Sequence, residues 1–215
     1  KWAAENIPAI IETWYPGEAG GDAIADVLFG DYNPAGRLPV TFYQSIDDLP
    51  PFEDYRMDGR TYRFFKGEPQ FPFGHGLSYT TFRFGNLSID QATVEAGGQV
   101  NVSVDVTNTG KRPGDEVVQL YTRRTSAPAR LNRELKGFKR ISLAPGQCRT
   151  VTFTLFANQL SVYDEELLAA VQPGQVEVMV GNSSADLPLR GSFEIVGPTT
   201  GVADEKVFFS RVAVS

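Results

Sequence analysis

The chain predicts a mainly β protein: an antiparallel two-sheet sandwich, preceded by a partial α/β segment and joined to it by an extended aromatic connector. Three observations carry this. Alternating valines mark half-buried strands in the second half, turn dipeptides recur between them, and the first third reads as strand, helix, strand. With 21 Gly, 14 Pro, 15 Phe and 8 Tyr in 215 residues, the composition also favours a turn-rich β protein over a helical bundle.

In the first third, residues 9–15 form a short apolar run closed by Pro16 and Gly17, which predicts a buried strand. Asp22 is placed to cap the next helix, whose Ile24, Val27 and Leu28 share one stripe, and Gly30 is placed as its left-handed stop. After a turn through Asn33, Pro34 and Gly36, residues 37–42 predict a returning strand, with Pro39 marking it as an edge or an end. Together these make a βαβ unit, whose parallel pair is normally covered on both faces. The sequence supplies no such cover and opens at Lys1 without Met, so residues 1–45 are expected to be the end of a larger α/β domain. The loop 17–21 matches neither Gly-X-Gly-X-X-Gly nor the lysine-bearing phosphate loop, and Glu18 and Asp22 oppose an anion; a tight structural turn is expected.

Residues 46–80 lack sustained periodicity and read as a connector. Asp47, Asp48, Leu49, Pro50 and Pro51 must run extended, while Phe52, Tyr55, Tyr62, Phe64 and Phe65 are too apolar for a free linker and predict a strap packed on a neighbouring surface. Arg56, Arg60 and Arg63 can bind a sugar hydroxyl or carboxylate, or pair with Glu53, Asp54 or Asp58; pairing is the expected role. The stretch 71–82 holds Pro72, Gly74 and Gly76 among aromatics, so no helix passes through it, and it is expected to be a packed crossover between two domains. His75 lies between two of these breakers with no nameable acid or nucleophile partner and is assigned to packing or hydrogen bonding.

From Phe82 the period becomes two. Val100, Val102, Val104 and Val106 fall on one strand face, as do Val151, Phe153 and Leu155; Val176, Val178 and Val180; and Leu189, Gly191, Phe193 and Ile195. Strands at 116–122 and 135–143 bring the number to about seven, the complement of an immunoglobulin-like sandwich over residues 81–197. The apolar tail 198–215 needs a partner, as an added strand or against the connector.

Charge and chemistry narrow the function classes. A net charge of −6 opposes wholesale binding of nucleic acid or of an anionic membrane face, and no apolar run approaches the ~18 residues of a membrane span. One cysteine, Cys148, and one histidine exclude a Cys/His metal cage drawn from this chain alone, and no cofactor motif is present; Cys148 is expected to be a small packing residue. The cations Arg123, Arg124, Arg130, Arg133, Lys136, Lys139 and Arg140 gather as a local patch, a solvated loop or docking surface. Glu165 with Glu166, and Asp47 with Asp48, are sequence neighbours with nothing to hold either pair across a cleft as catalytic carboxylates.

Several of these residues are familiar in combination. Residues 14–21 (Trp-Tyr-Pro-Gly-Glu-Ala-Gly-Gly) and 23–42, ending Asn33-Pro34-Ala35-Gly36-Arg37-Leu38-Pro39-Val40-Thr41-Phe42, closely resemble the end of the α/β sandwich domain of glycoside hydrolase family 3. Residues 71–80 (Phe-Pro-Phe-Gly-His-Gly-Leu-Ser-Tyr-Thr) resemble that family's lead into its fibronectin type III-like domain, and residues 116–121, 134–138 and 143–146 resemble motifs of the domain itself. The connector is most similar to the bacterial β-xylosidase branch, with β-glucosidase close behind. The resemblance implies a retaining β-glycosidase with two catalytic groups, a nucleophile and an acid/base. In the family these lie in an upstream barrel and α/β domain, and no residue here matches either motif. The resemblance thus implies no catalytic, cofactor or metal-binding residue in this chain, partner domains upstream that hold the oligosaccharide, and a periplasmic or secreted protein. A free-standing polysaccharide-binding or adhesion module is the alternative, against which the half sheet at the N-terminus speaks.

Overall fold

A computed structural model of the chain describes residues 1–125, 131–163, 166–202 and 206–215. Three short helices, α1 (Trp2–Asn6), α2 (Gly20–Phe29) and α3 (Thr61–Phe64), precede the β region. The strands then follow as β1 (Phe82–Ile89), β2 (Thr93–Glu95), β3 (Gln99–Asn108), β4 (Gly114–Arg124), β5 (Glu134–Leu143) and β6 (Cys148–Phe156). After these come β7 (Val162–Tyr163), β8 (Ala169–Val171), β9 (Gly174–Gly181), β10 (Leu189–Val196), β11 (Thr200–Gly201) and β12 (Arg211–Val214).

Two sheets form the sandwich, one in the order β1-β3-β6-β12 and the other in the order β2-β10-β9-β4-β5. Alternation decides the inner faces. In β3 the four valines are at most 1% exposed, and antiparallel pairing sets Val102 opposite Phe153 and Val104 opposite Val151. Val118 and Leu120 of β4, and Val176, Val178 and Val180 of β9, meet them from the other sheet. All neighbours in the two sheets are antiparallel except β2, which runs parallel to β10. The strands β11, β8 and β7 add a small third sheet, and β12 pairs with the outer edge of β6, so part of the tail is an added strand.

β4 breaks the alternation. From Val118 to Thr122 both of its faces are buried. The outward Tyr121 joins Met179 and Leu187 in a second cluster, and Tyr62, Phe73 and Leu135 pack over them. The connector is therefore strapped across the outer face of the second sheet.

The first third departs from expectation. The helix forms, with Gly30 left-handed at φ 82°, but it begins at Gly20 with Ala19 at the N-cap, and Asp22 lies in the first turn without capping it. Residues 9–15 and 37–42 form no ladder strand. For 9–15 no strand lies alongside among the described residues, and Ile10 and Ile11 are exposed, so the cover that stabilises a parallel pair is missing. Residues 37–42 bond instead to the crossover: Gly74 N donates to Leu38 O at 2.7 Å, Leu38 N to His75 O at 2.9 Å, and Phe42 makes a single antiparallel bridge with Phe71. Cys148 starts β6 but is exposed, which corrects its assignment to packing. No helix among the described residues is long and apolar enough to cross a membrane.

Candidate functional site

The residues that the fold brings together lie along the seam between the helical first third and the second sheet. α2 ends at Gly30, and the turn after it aims Asn33 into the seam. Its amide donates to Pro113 O at 3.0 Å, while its oxygen accepts from Ser78 Oγ at 2.9 Å and Tyr79 N at 2.8 Å. One side chain thus ties the turn, the crossover and the approach to β4. The Tyr79 hydroxyl donates at 2.6 Å to Val27 O in the last turn of α2, a carbonyl that also accepts from the capping Gly30 N at 3.2 Å.

Deeper in the seam, Arg37 pairs with Glu116 at 2.5 Å, their side chains only 9% and 3% exposed. Glu116 also accepts from Val117 N at 2.7 Å. Burial pushes the Glu116 carboxyl above its usual range, and the Arg37 guanidinium only partly pulls it back. Next along β4, the Gln119 amide donates to the carbonyls of Gly74 and Asn182, and its oxygen accepts from the Tyr121 hydroxyl at 2.6 Å. Gly74 is left-handed at φ 81° and packs so closely on Gln119 that a Cβ there would collide with the amide. Only glycine fits on both counts.

Aromatic packing extends the seam to the connector. Tyr62 stacks on Phe73 with centroids 4.3 Å apart and meets Tyr121 edge-on at 5.8 Å. Its oxygen accepts from Leu135 N at 3.1 Å, and burial raises the phenol's pKa. Asn132 holds the strap by donating to Phe65 O at 2.6 Å, and Ser184 N donates to Phe73 O at 2.9 Å.

Individual residues singled out in the sequence fall as follows. His75 stacks on Phe71 at 5.5 Å, and burial together with the nearby Arg37 charge lowers its pKa, so it is a neutral packing group at neutral pH. Arg56 pairs with Asp54 at 2.7 Å, and this hydrogen-bonded partner takes the Asp54 carboxyl down to about 2. Arg60 donates to the carbonyls of Pro51, Asp54 and Arg56, whereas Arg63 pairs with Glu134, 71 residues away, rather than with a connector acid. Asp47 and Asp48 close a capping box with Ser45. The cationic patch does not act as one surface. Arg123 pairs with Glu177, Arg124 donates to main-chain carbonyls, Lys136 is held between Glu134 and Gln159 O, and Arg140 bonds Asp115 and Tyr32. Arg130 and Glu165 lie outside the described residues.

Chemically the seam is a clamp. No group of three or more His, Cys, Asp or Glu among the described residues is placed to hold a metal ion. Its polar centre, Asn33, Arg37, Glu116 and Gln119, escaped sequence reading because each partner lies tens of residues away. The one available signal was Glu116–Thr122 itself, where buried polar and apolar residues follow one another instead of alternating. Beside the seam, a cavity of about 440 Å³ opens between the connector and the sandwich.

Residues 1–79 match the glycosyl hydrolase family 3 C-terminal domain, and residues 116–184 match the fibronectin type III-like domain. The chain is 46% identical over 187 residues to a xylan 1,4-β-xylosidase of Xylanibacter ruminicola, covering 86% of this chain and 21% of that protein. To a periplasmic β-glucosidase of Salmonella typhimurium it is 41% identical over 205 residues, covering 89% and 27%. Among solved structures, a β-glucosidase of Erythrobacter marinus superposes with a TM-score of 0.80 at 40% identity, covering 90% of this chain and 26% of that one. The chain thus spans between a fifth and a third of the length of these relatives. With both matches in the order of the two halves described above, the chain carries the C-terminal domain of glycosyl hydrolase family 3 and, after it, the fibronectin type III-like domain.

Proposed function

We propose that this chain is the non-catalytic C-terminal portion of a retaining, exo-acting β-glycosidase, a β-xylosidase or β-glucosidase that releases sugars from plant-type oligosaccharides. The carrying observation is the apolar surface left open on the first third. Trp14 and Leu28 are at least half exposed, Phe29 is 84% and Tyr15 100% exposed, and Ile10 and Ile11 stand beside them. Such a face is suited to burial against further α/β structure rather than to water. In this reading residues 1–45 complete an α/β domain, 46–80 strap it down, 81–197 form the bracing sandwich and 198–215 the tail. The nucleophile, the acid/base and the sugar subsites belong to upstream domains, and the seam sets the angle at which the sandwich supports them. A periplasmic or secreted setting accords with the likeness to the periplasmic β-glucosidase of Salmonella typhimurium.

The test is direct. The purified 215-residue chain should show no turnover of 4-nitrophenyl β-xyloside or β-glucoside above the uncatalysed rate. Turnover that co-purifies with the chain would refute the reading.

A further inference from the structure

The cavity between connector and sandwich shares Tyr62, Phe65, Asn132 and Ser184 with the clamp and opens beside it. At about 440 Å³ it is large enough for a monosaccharide. One part of its lining is cationic: Lys66 from the connector and Arg133 and Arg190 from the sandwich stand against a single carboxylate, Glu68. Neither Lys66 nor Arg133 has an ion-pair partner among the described residues, while Arg190 shares Glu177 with Arg123, at 2.8 and 2.6 Å. Burial, with Arg190 and Arg123 close by, pushes the Arg133 guanidinium down, as expected for a cation short of counter-charge.

The rest of the lining is of another kind. Tyr62, Phe65, Pro69 and Pro72 supply ring surfaces, and Thr41 carries a buried hydroxyl with no hydrogen-bond partner. The frame is bonded without any ligand: Asn132 to the Phe65 carbonyl, Arg133 to the Ser184 carbonyl, and Ser184 N to Phe73 O. A preformed pocket with surplus positive charge, flat apolar walls and a spare hydroxyl suits a compact ring that offers C–H faces, hydroxyls and one carboxylate.

We propose that this cavity is a binding site for an acidic sugar, a uronic acid whose carboxylate meets Lys66 and Arg133 and whose ring lies against Tyr62 and Phe65.

Calorimetric titration of the 215-residue chain at low ionic strength, with glucuronic acid, glucose and inorganic phosphate, tests it. Glucuronate should bind, and glucose and phosphate should each bind at least about tenfold more weakly, the one lacking the charge and the other the ring. Lys66→Gln should weaken glucuronate about tenfold with an unchanged melting temperature, since Lys66 makes no ion pair that the fold uses. Glu68→Gln, which removes the lining's one carboxylate, should tighten it. The proposal is overturned if glucuronate gives no binding heat, if glucose or phosphate matches it, or if Lys66→Gln leaves the affinity unchanged.

Discussion

At the scale of single residues the decisive pair is Arg37 and Glu116. Each charge is sealed from water by the other's element, so removing one leaves a buried ion alone. Arg37→Met should cost about 3 kcal/mol in urea unfolding at neutral pH, whereas Arg37→Met with Glu116→Leu should return close to the original stability. Equal losses in the single and double variants would refute the coupling. The pH dependence has a definite sign. Glu116 has its folded pKa raised above the ordinary 4.5, so the folded state holds the proton more tightly than the unfolded one. Its contribution to stability is therefore lost as pH rises through the folded pKa and regained on acidification toward 4.5. In Arg37→Met that regain should be larger, because protonation then neutralises the stranded carboxylate. None of this was legible in the sequence, where the pair lies 79 residues apart and looks like two ordinary surface charges.

At the scale of elements, sequence reading succeeded where the signal is local. Strands β3, β6, β9 and β10 announce themselves because alternation is written in consecutive residues and burial on one face follows from it. It failed where an element exists only through its neighbours. Residues 9–15 and 37–42 have strand composition but no parallel partner among the described residues, while β2, β7, β8 and β11 are two or three residues long and carry no period at all. The connector lies between these cases: its aromatics predicted a strap, but not that Tyr62 and Phe73 would close over Tyr121 of β4. Replacing Phe73 and Tyr79 together by Ala removes the ring stacked on Tyr62 and the hydroxyl bonded to Val27 O, for a loss of roughly 2–3 kcal/mol. Trypsin should then cut faster at Arg56, Arg60 or Arg63. Unchanged protection at those sites would show that the crossover does not hold the two halves together.

At the scale of the whole molecule, the sandwich and the helical first third form one packed body held by the seam, and β12 adds to it. β12 gives β6 an outer neighbour, with Val212 and Val214 packed on the main core. Deleting residues 206–215 should lower the melting temperature by several degrees and favour self-association through the bared edge, measurable by scattering against protein concentration. A monomer of unchanged stability would contradict this. The position of β12 also bears on how the protein is made. β6 pairs inward with β3, which the ribosome has already delivered, but its outer edge must wait until residue 210 has been passed. Throughout that interval of synthesis β6 displays a row of unpaired main-chain donors and acceptors, so the nascent chain is most prone to mispairing, and most in need of a chaperone, just before its own sequence supplies the cure.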